Sequence, residues 1–74
     1  MIEKIIRYVS EQLSIDESEL NEKTEIIDDL GADSLDIVEI LLRIEEELGV
    51  SVPDEAVIEM KTIGDMAKYV EKNM

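Results

Sequence analysis

The sequence predicts an all-α fold. Apolar residues recur at helical spacing near both ends of the chain, a third such stripe runs through the middle, and no stretch alternates as a strand would. At 74 residues there is room for one core, so residues 1–74 are read as a single domain. A chain this short buries only about 60% of the surface its unfolded form exposes, and it has no cysteine for stapling, so modest stability is expected.

The elements follow in order. Ile2, Ile5, Ile6, Val9 and Leu13 form one clean helical stripe. Glu3, Lys4, Arg7 and Glu11 interrupt it, so this segment reads as neither a signal peptide nor a membrane span, and a cytoplasmic protein is the default expectation. Ser14 to Asp33 is a long connection, of the kind that is usually functional or disordered. Within it, Ile15 and Leu20 bracket Asp16-Glu17-Ser18-Glu19 and suggest a local turn, while Ile26-Ile27 and Leu30 are expected to pin it to the core.

The central helix is read from Ser34 to Leu48, with Gly49 stopping it. Ile37, Val38, Leu41, Ile44 and Leu48 make its core stripe, and Asp36, Glu39, Arg43, Glu46 and Glu47 lie opposite. Ile40 falls at one border. Leu35 and Leu42 fall at the other, beside the acids. Either they form the apolar centre of a partner interface or they close over a neighbouring helix. Pro53-Asp54 opens a shorter helix to about Met60, with Asp54 as its N-cap. Ile63, Met66, Ala67, Val70 and Met74 mark the last helix, with Thr62 and Asp65 approximating a capping box.

Twenty acids against seven bases leave a formal charge of −13. That excludes non-specific nucleic-acid binding, which needs a cationic footprint, and anionic membrane surfaces repel such a chain. Proteins with basic patches are the natural partners, found by electrostatic steering. Between Thr24 and Met60 stand twelve acids and one base, Arg43, so this segment holds −11 of the total.

Ser34 sits inside that field at the start of the central helix. A serine nucleophile needs a general base, and the chain has no histidine. Gly31-Ala32-Asp33-Ser34-Leu35 is not a nucleophile elbow either. No catalytic residue and no metal site are therefore assigned. The EF-hand alternative fails because the alternate positions from Asp28 are Leu30 and Ala32, which offer no oxygen ligands. Asp33 or Ser34 can cap the helix, and capping is compatible with a further role. A phosphate ester on Ser34 would lie at the positive end of the helix dipole among free amide donors. The residue suits attachment better than attack.

Asp29-Leu30-Gly31-Ala32-Asp33-Ser34-Leu35-Asp36, followed by Val38-Glu39 and Glu45-Glu46-Glu47-Leu48, closely resembles the acyl carrier proteins. Glu11-Gln12-Leu13, Val52-Pro53-Asp54-Glu55 and Thr62-Ile63-Gly64-Asp65 extend the resemblance over essentially the whole chain. It implies a four-helix bundle, three longer helices and a short third one, with a long loop between the first two. It also implies that Ser34 carries 4′-phosphopantetheine, moved from coenzyme A by a phosphopantetheinyl transferase using magnesium. The arm's thiol then holds growing acyl chains as thioesters, which family members also shelter between their helices.

By position, Asp33, Leu35, Asp36, Glu39, Leu42, Glu45 and Glu46 look like the surface that meets fatty acid synthesis enzymes through their basic docking patches. Asp54 and Glu55 are added from the third helix. The family often places phenylalanine near Ile26 and an acid where this chain has Ile58, so altered packing and a missing contact are expected there. The resemblance favours a freestanding, monomeric carrier of fatty acid synthesis. A carrier dedicated to polyketide or lipid-modification chemistry is the nearest alternative, and a non-covalent acidic interaction module is the more distant one.

The charge carries its own test. Raising ionic strength from about 0.01 M to about 0.15 M shortens the Debye length from about 30 Å to about 8 Å. Thermal melts are therefore expected to shift upward across that range. A melting temperature that is flat or falls with salt would mean that self-repulsion does not limit this fold.

Overall fold

The computed structural model describes residues 1–57 and 59–74. Its elements are α1 (Ile2–Leu13), a 3-10 turn (Glu17–Glu19), α2 (Ser34–Leu48), α3 (Asp54–Val57) and α4 (Ile63–Lys72). The fold is all-helical. Among the described residues the nearest thing to a strand is an isolated antiparallel bridge between Glu25 and Thr62. No described helix is long and apolar enough to cross a membrane.

α1 buries Ile5, Tyr8 and Val9 and packs against both α2 and α4. It ends at Ser14, whose φ of 56° lies in the left-handed region. Ser14 and Ile15 both donate their N–H groups to the Ser10 carbonyl, the double closure that commonly accompanies a left-handed end. Burial, with the nearby Glu47 carboxylate adding to it, pushes the Tyr8 phenol above its usual range.

The long connection is ordered by three devices. Asp16 caps the 3-10 turn by accepting the Ser18 N–H, and that bond holds its carboxyl below the ordinary range. Leu20 and Ile26 are buried in the core. The segment is also stitched to the start of α4, with Ile26 N–H on the Lys61 carbonyl, Ile63 N–H on that of Thr24 and Gly64 N–H on that of Glu22. At Gly64 the approach is close: a Cβ there would stand 2.8 Å from the Glu22 carbonyl oxygen.

α2 has the expected bounds. Asp33 caps it and Gly49, at φ 70°, ends it. Its buried face is Ile37, Ile40, Leu41 and Ile44. Val38, expected in that stripe, is 38% exposed, and Ile40, expected at the border, is buried. The helix is turned slightly about its axis because packing on α1 and the shared core decides which border residue goes inside. Ile27 is also corrected. It is 56% exposed while Ile26 is buried, because the two lie in one turn where consecutive side chains diverge by about 100°.

α3 is shorter than expected and begins at Asp54, making that residue the first of the helix and not its cap. The Pro53 carbonyl accepts the Ala56 N–H and so occupies the cap position. The Asp54 side chain and Ile58 lie outside the described residues. α4 has its capping box, with Thr62 and Asp65 bonded reciprocally. Its apolar face is Ile63, Met66, Ala67 and Val70, but the helix stops at Lys72 and leaves Met74 exposed.

Ile5, Val9, Ile26, Ile40, Ile44, Ile63, Met66 and Val70 are fully buried, so the described interior is almost entirely aliphatic. Ile44→Ala is expected to lower the unfolding free energy by about 2–5 kcal/mol in urea denaturation. Val38→Ala is the control. A loss at Ile44 no larger than that at Val38 would contradict the burial pattern.

Candidate functional site

Ser34 is the first residue of α2 and is exposed. Its surroundings are set by Asp33. The Asp33 Oδ1 accepts the Asp36 N–H at 2.9 Å, and the Asp36 Oδ2 accepts the Asp33 N–H at 3.3 Å. This capping box uses the amides of Asp33 and Asp36. Among the described residues, those of Ser34 and Leu35 are left without an intramolecular acceptor. Because Asp33 does the capping, the Ser34 hydroxyl is spared that task.

On one side of Ser34 opens a cavity of about 560 Å³. Ile27, Ala32, Ile37, Val38 and Met60 give it an apolar lining, and Glu25, Asp28, Asp33 and Lys61 supply polar groups alongside Ser34. The two residues that departed from the expected core, Ile27 and Val38, are both here. Both line this cavity.

On the other side lies the outer face of α2. Leu35 and Leu42 are 65% and 51% exposed, so they do not close over a neighbouring helix. Glu39 and Glu46 follow each leucine by four residues, which places all four along one line of the helix. Glu45 and Glu46 are exposed, and Asp36 is half-buried. Asp33, Leu35, Asp36, Glu39, Leu42, Glu45 and Glu46 thus share one helix and its cap. Glu55 is exposed on α3.

Arg43 is the lone base of the acidic segment, and it is turned toward α1. It pairs with Glu11 at 2.9 Å and with Glu47 at 3.5 Å, with its guanidinium 6.0 Å from the Tyr8 ring centre. Gln12, also at the end of α1, bonds to Asp36 and Glu39. Sequence reasoning did not single out Gln12, and its spacing from α2 carries no local signal. Lys61 and Met60 were likewise missed as cavity residues. Val38 was placed in the core stripe, and its position at the edge of the apolar arc does not distinguish a core residue from a cavity wall.

Chemically, Ser34 offers an exposed hydroxyl with no histidine to activate it, beside free helix-end amides that favour an anion. Among the described residues, no three acidic side chains are gathered closely enough to hold a metal ion.

Residues 3–70 match the family described as the phosphopantetheine attachment site. Among curated proteins, an acyl carrier protein of Helicobacter pylori (strain G27) is 41% identical over 73 residues, covering 99% of this chain and 94% of its own length. One from Thermotoga maritima is 44% identical over 71 residues, covering 96% of this chain and 88% of that protein. One from Clostridium perfringens (strain SM101) is 42% identical over 73 residues, with 99% and 96% covered.

The cap can be separated from the charge. Asp33→Ala is expected to cost about 0.5–2 kcal/mol of stability, because the Asp36 N–H loses its acceptor. Asp33→Asn keeps an acceptor oxygen and is expected to stay close to the parent. Equal losses in urea denaturation for both variants would show that charge, not capping, sets the start of α2.

Proposed function

The chain belongs to the acyl carrier proteins, and from that premise we propose that Ser34 bears their 4′-phosphopantetheine arm and that the protein carries growing fatty acyl chains on it as thioesters. The observation that carries this reading is the position of Ser34, exposed at the start of α2 between an apolar cavity and an acidic face. An attachment point needs access and an environment that tolerates phosphate, and it needs no base of its own.

The residues present fit that group. The unused amides of Ser34 and Leu35 suit a phosphodiester oxygen at the helix start. The attached arm supplies a terminal thiol, the one sulfur chemistry that a chain without cysteine lacks. Everything else falls to residues of the chain. Asp33 fixes the helix end so that the serine is presented outward. Ile27, Val38 and Met60 offer an apolar surface within reach of the same residue, suited to sheltering an aliphatic chain. The protein delivers and does not catalyse.

Delivery requires recognition. Asp36, Glu39, Glu45 and Glu46 form a negative rim around Leu35 and Leu42, which suits enzymes presenting arginines and lysines around an apolar spot. We assign phosphopantetheinyl transferase and the enzymes of fatty acid synthesis to this face, and Asp54 and Glu55 to its edge. In this reading α3 completes a four-helix bundle, residues 1–74 form one domain, and the protein works as a cytoplasmic monomer.

Incubation with coenzyme A, magnesium and a phosphopantetheinyl transferase is expected to add one phosphopantetheine by intact mass. Ser34→Ala is expected to abolish the gain. No addition by several competent transferases would overturn the assignment. Glu39→Lys and Leu35→Ala are each expected to cost more than about 1 kcal/mol, roughly five-fold in kcat/KM for loading, with helix content by circular dichroism intact. Loss of helix content in step with loss of loading would show that these residues support the fold and not docking.

A further inference from the structure

Glu11 and Gln12, neighbours in the last turn of α1, treat the charges of α2 in opposite ways. Glu11 takes the base, pairing with Arg43 at 2.9 Å. Gln12 takes the acids: its Nε2 donates to Asp36 Oδ1 at 3.3 Å and to the Glu39 carboxylate. An amide nitrogen has two N–H donors, and here there is one for each carboxylate. Ionised carboxylates only accept, so the nitrogen and not the oxygen must face them.

Asp36 and Glu39 stand three residues apart on one helix, where like charges repel. Left alone, the longer Glu39 side chain would swing away and sample many rotamers. A lysine or arginine at position 12 would hold both acids but cancel charge that a basic partner reads. A glutamine holds them and cancels none. Asp36 is held from its other oxygen too, by the Asp33 N–H, so the clamp runs from α1 through Asp36 to the residue beside Ser34.

We propose that Gln12 is a positioning residue of the docking face, whose amide sets the Asp36 and Glu39 carboxylates in one arrangement for an arginine- or lysine-bearing enzyme without neutralising them. This rests on the reading of Ser34 as the attachment point and of α2 as the face that partners meet. The gain to the partner is in ordering: side chains already placed need not be immobilised on docking.

The test measures loading of the full chain by a phosphopantetheinyl transferase, with KM for the carrier and kcat taken separately over a series of salt concentrations. Gln12→Met keeps the volume and removes both donors. It is expected to raise KM about 3- to 10-fold with kcat little changed. The slope of log KM against log salt is expected to stay that of the parent, because no charge has altered. Gln12→Lys is expected to raise KM and flatten that slope. In a Glu39→Gln background the effect of Gln12→Met is expected to shrink, since one of the two carboxylates that it positions has lost its charge.

An unchanged KM in Gln12→Met, or the same rise in the Glu39→Gln background, overturns the proposal while leaving Ser34 as the attachment point. A fall in kcat together with a lower melting temperature overturns it as well, because Gln12 would then be supporting the fold. Failure of the parent chain to load at all is a different result: it removes the carrier reading and the proposal with it.

Discussion

Burial of one aliphatic face of α2, packed against α1 and into the shared core, fixes the direction of every other residue on that helix. Ile37, Ile40, Leu41 and Ile44 do this, and each such side chain contributes about 1.5–3 kcal/mol when removed from water. Opposing them is a crowd of carboxylates on the same helix, but like-charge neighbours cost only about 0.2–0.5 kcal/mol per pair. The core wins by a wide margin. That margin is what lets so short a protein keep its outer α2 face acidic with Leu35 and Leu42 uncovered. Rotating α2 by one residue would bring the leucines inward and turn buried isoleucines to water.

The second constraint is the start of α2, and it decides what Ser34 is free to do. An aspartate and a serine stand side by side where a cap is needed, and either has the chemistry for it. Asp33 takes the cap, and Asp36 completes the box from three residues on. The consequence is local but large. Ser34 keeps an uncommitted hydroxyl, beside two helix-end amides that the box leaves open. A rigid frame and an uncommitted group are what an attachment point requires, and both come from one pair of short hydrogen-bonded side chains.

Much of this was legible in the sequence, and the reason is that its signals are local. The bounds of α2 follow from Asp33 at one end and Gly49 at the other, and the cap of α4 follows from Thr62 with Asp65. Periodicity alone could not say whether Val38 or Ile40 goes inside, because the two flank the same arc and tertiary packing chooses. Ile27 and Met74 were misplaced for a related reason: an apolar side chain at the end of a stripe or in a tight turn is buried only if some other element reaches it. Gln12 was invisible. Its partners lie 24 and 27 residues away, and no spacing rule connects an amide on one helix with carboxylates on another.

The polar seam between α1 and α2 is better understood as charge management than as a source of stability. Arg43, Glu11 and Glu47 are all substantially solvated, and exposed ion pairs of this kind contribute between about zero and 1 kcal/mol. Breaking them would hardly unfold the protein. What they do is hold the one base of the acidic segment on the α1 side, beside Tyr8, leaving the leucine-lined face without an internal counter-ion. Had Arg43 been free to swing toward Glu39 or Glu46, it would compete with any arginine that a partner offers. The arrangement therefore favours recognition over cohesion, and it can do so because the aliphatic face of α2 supplies the cohesion independently.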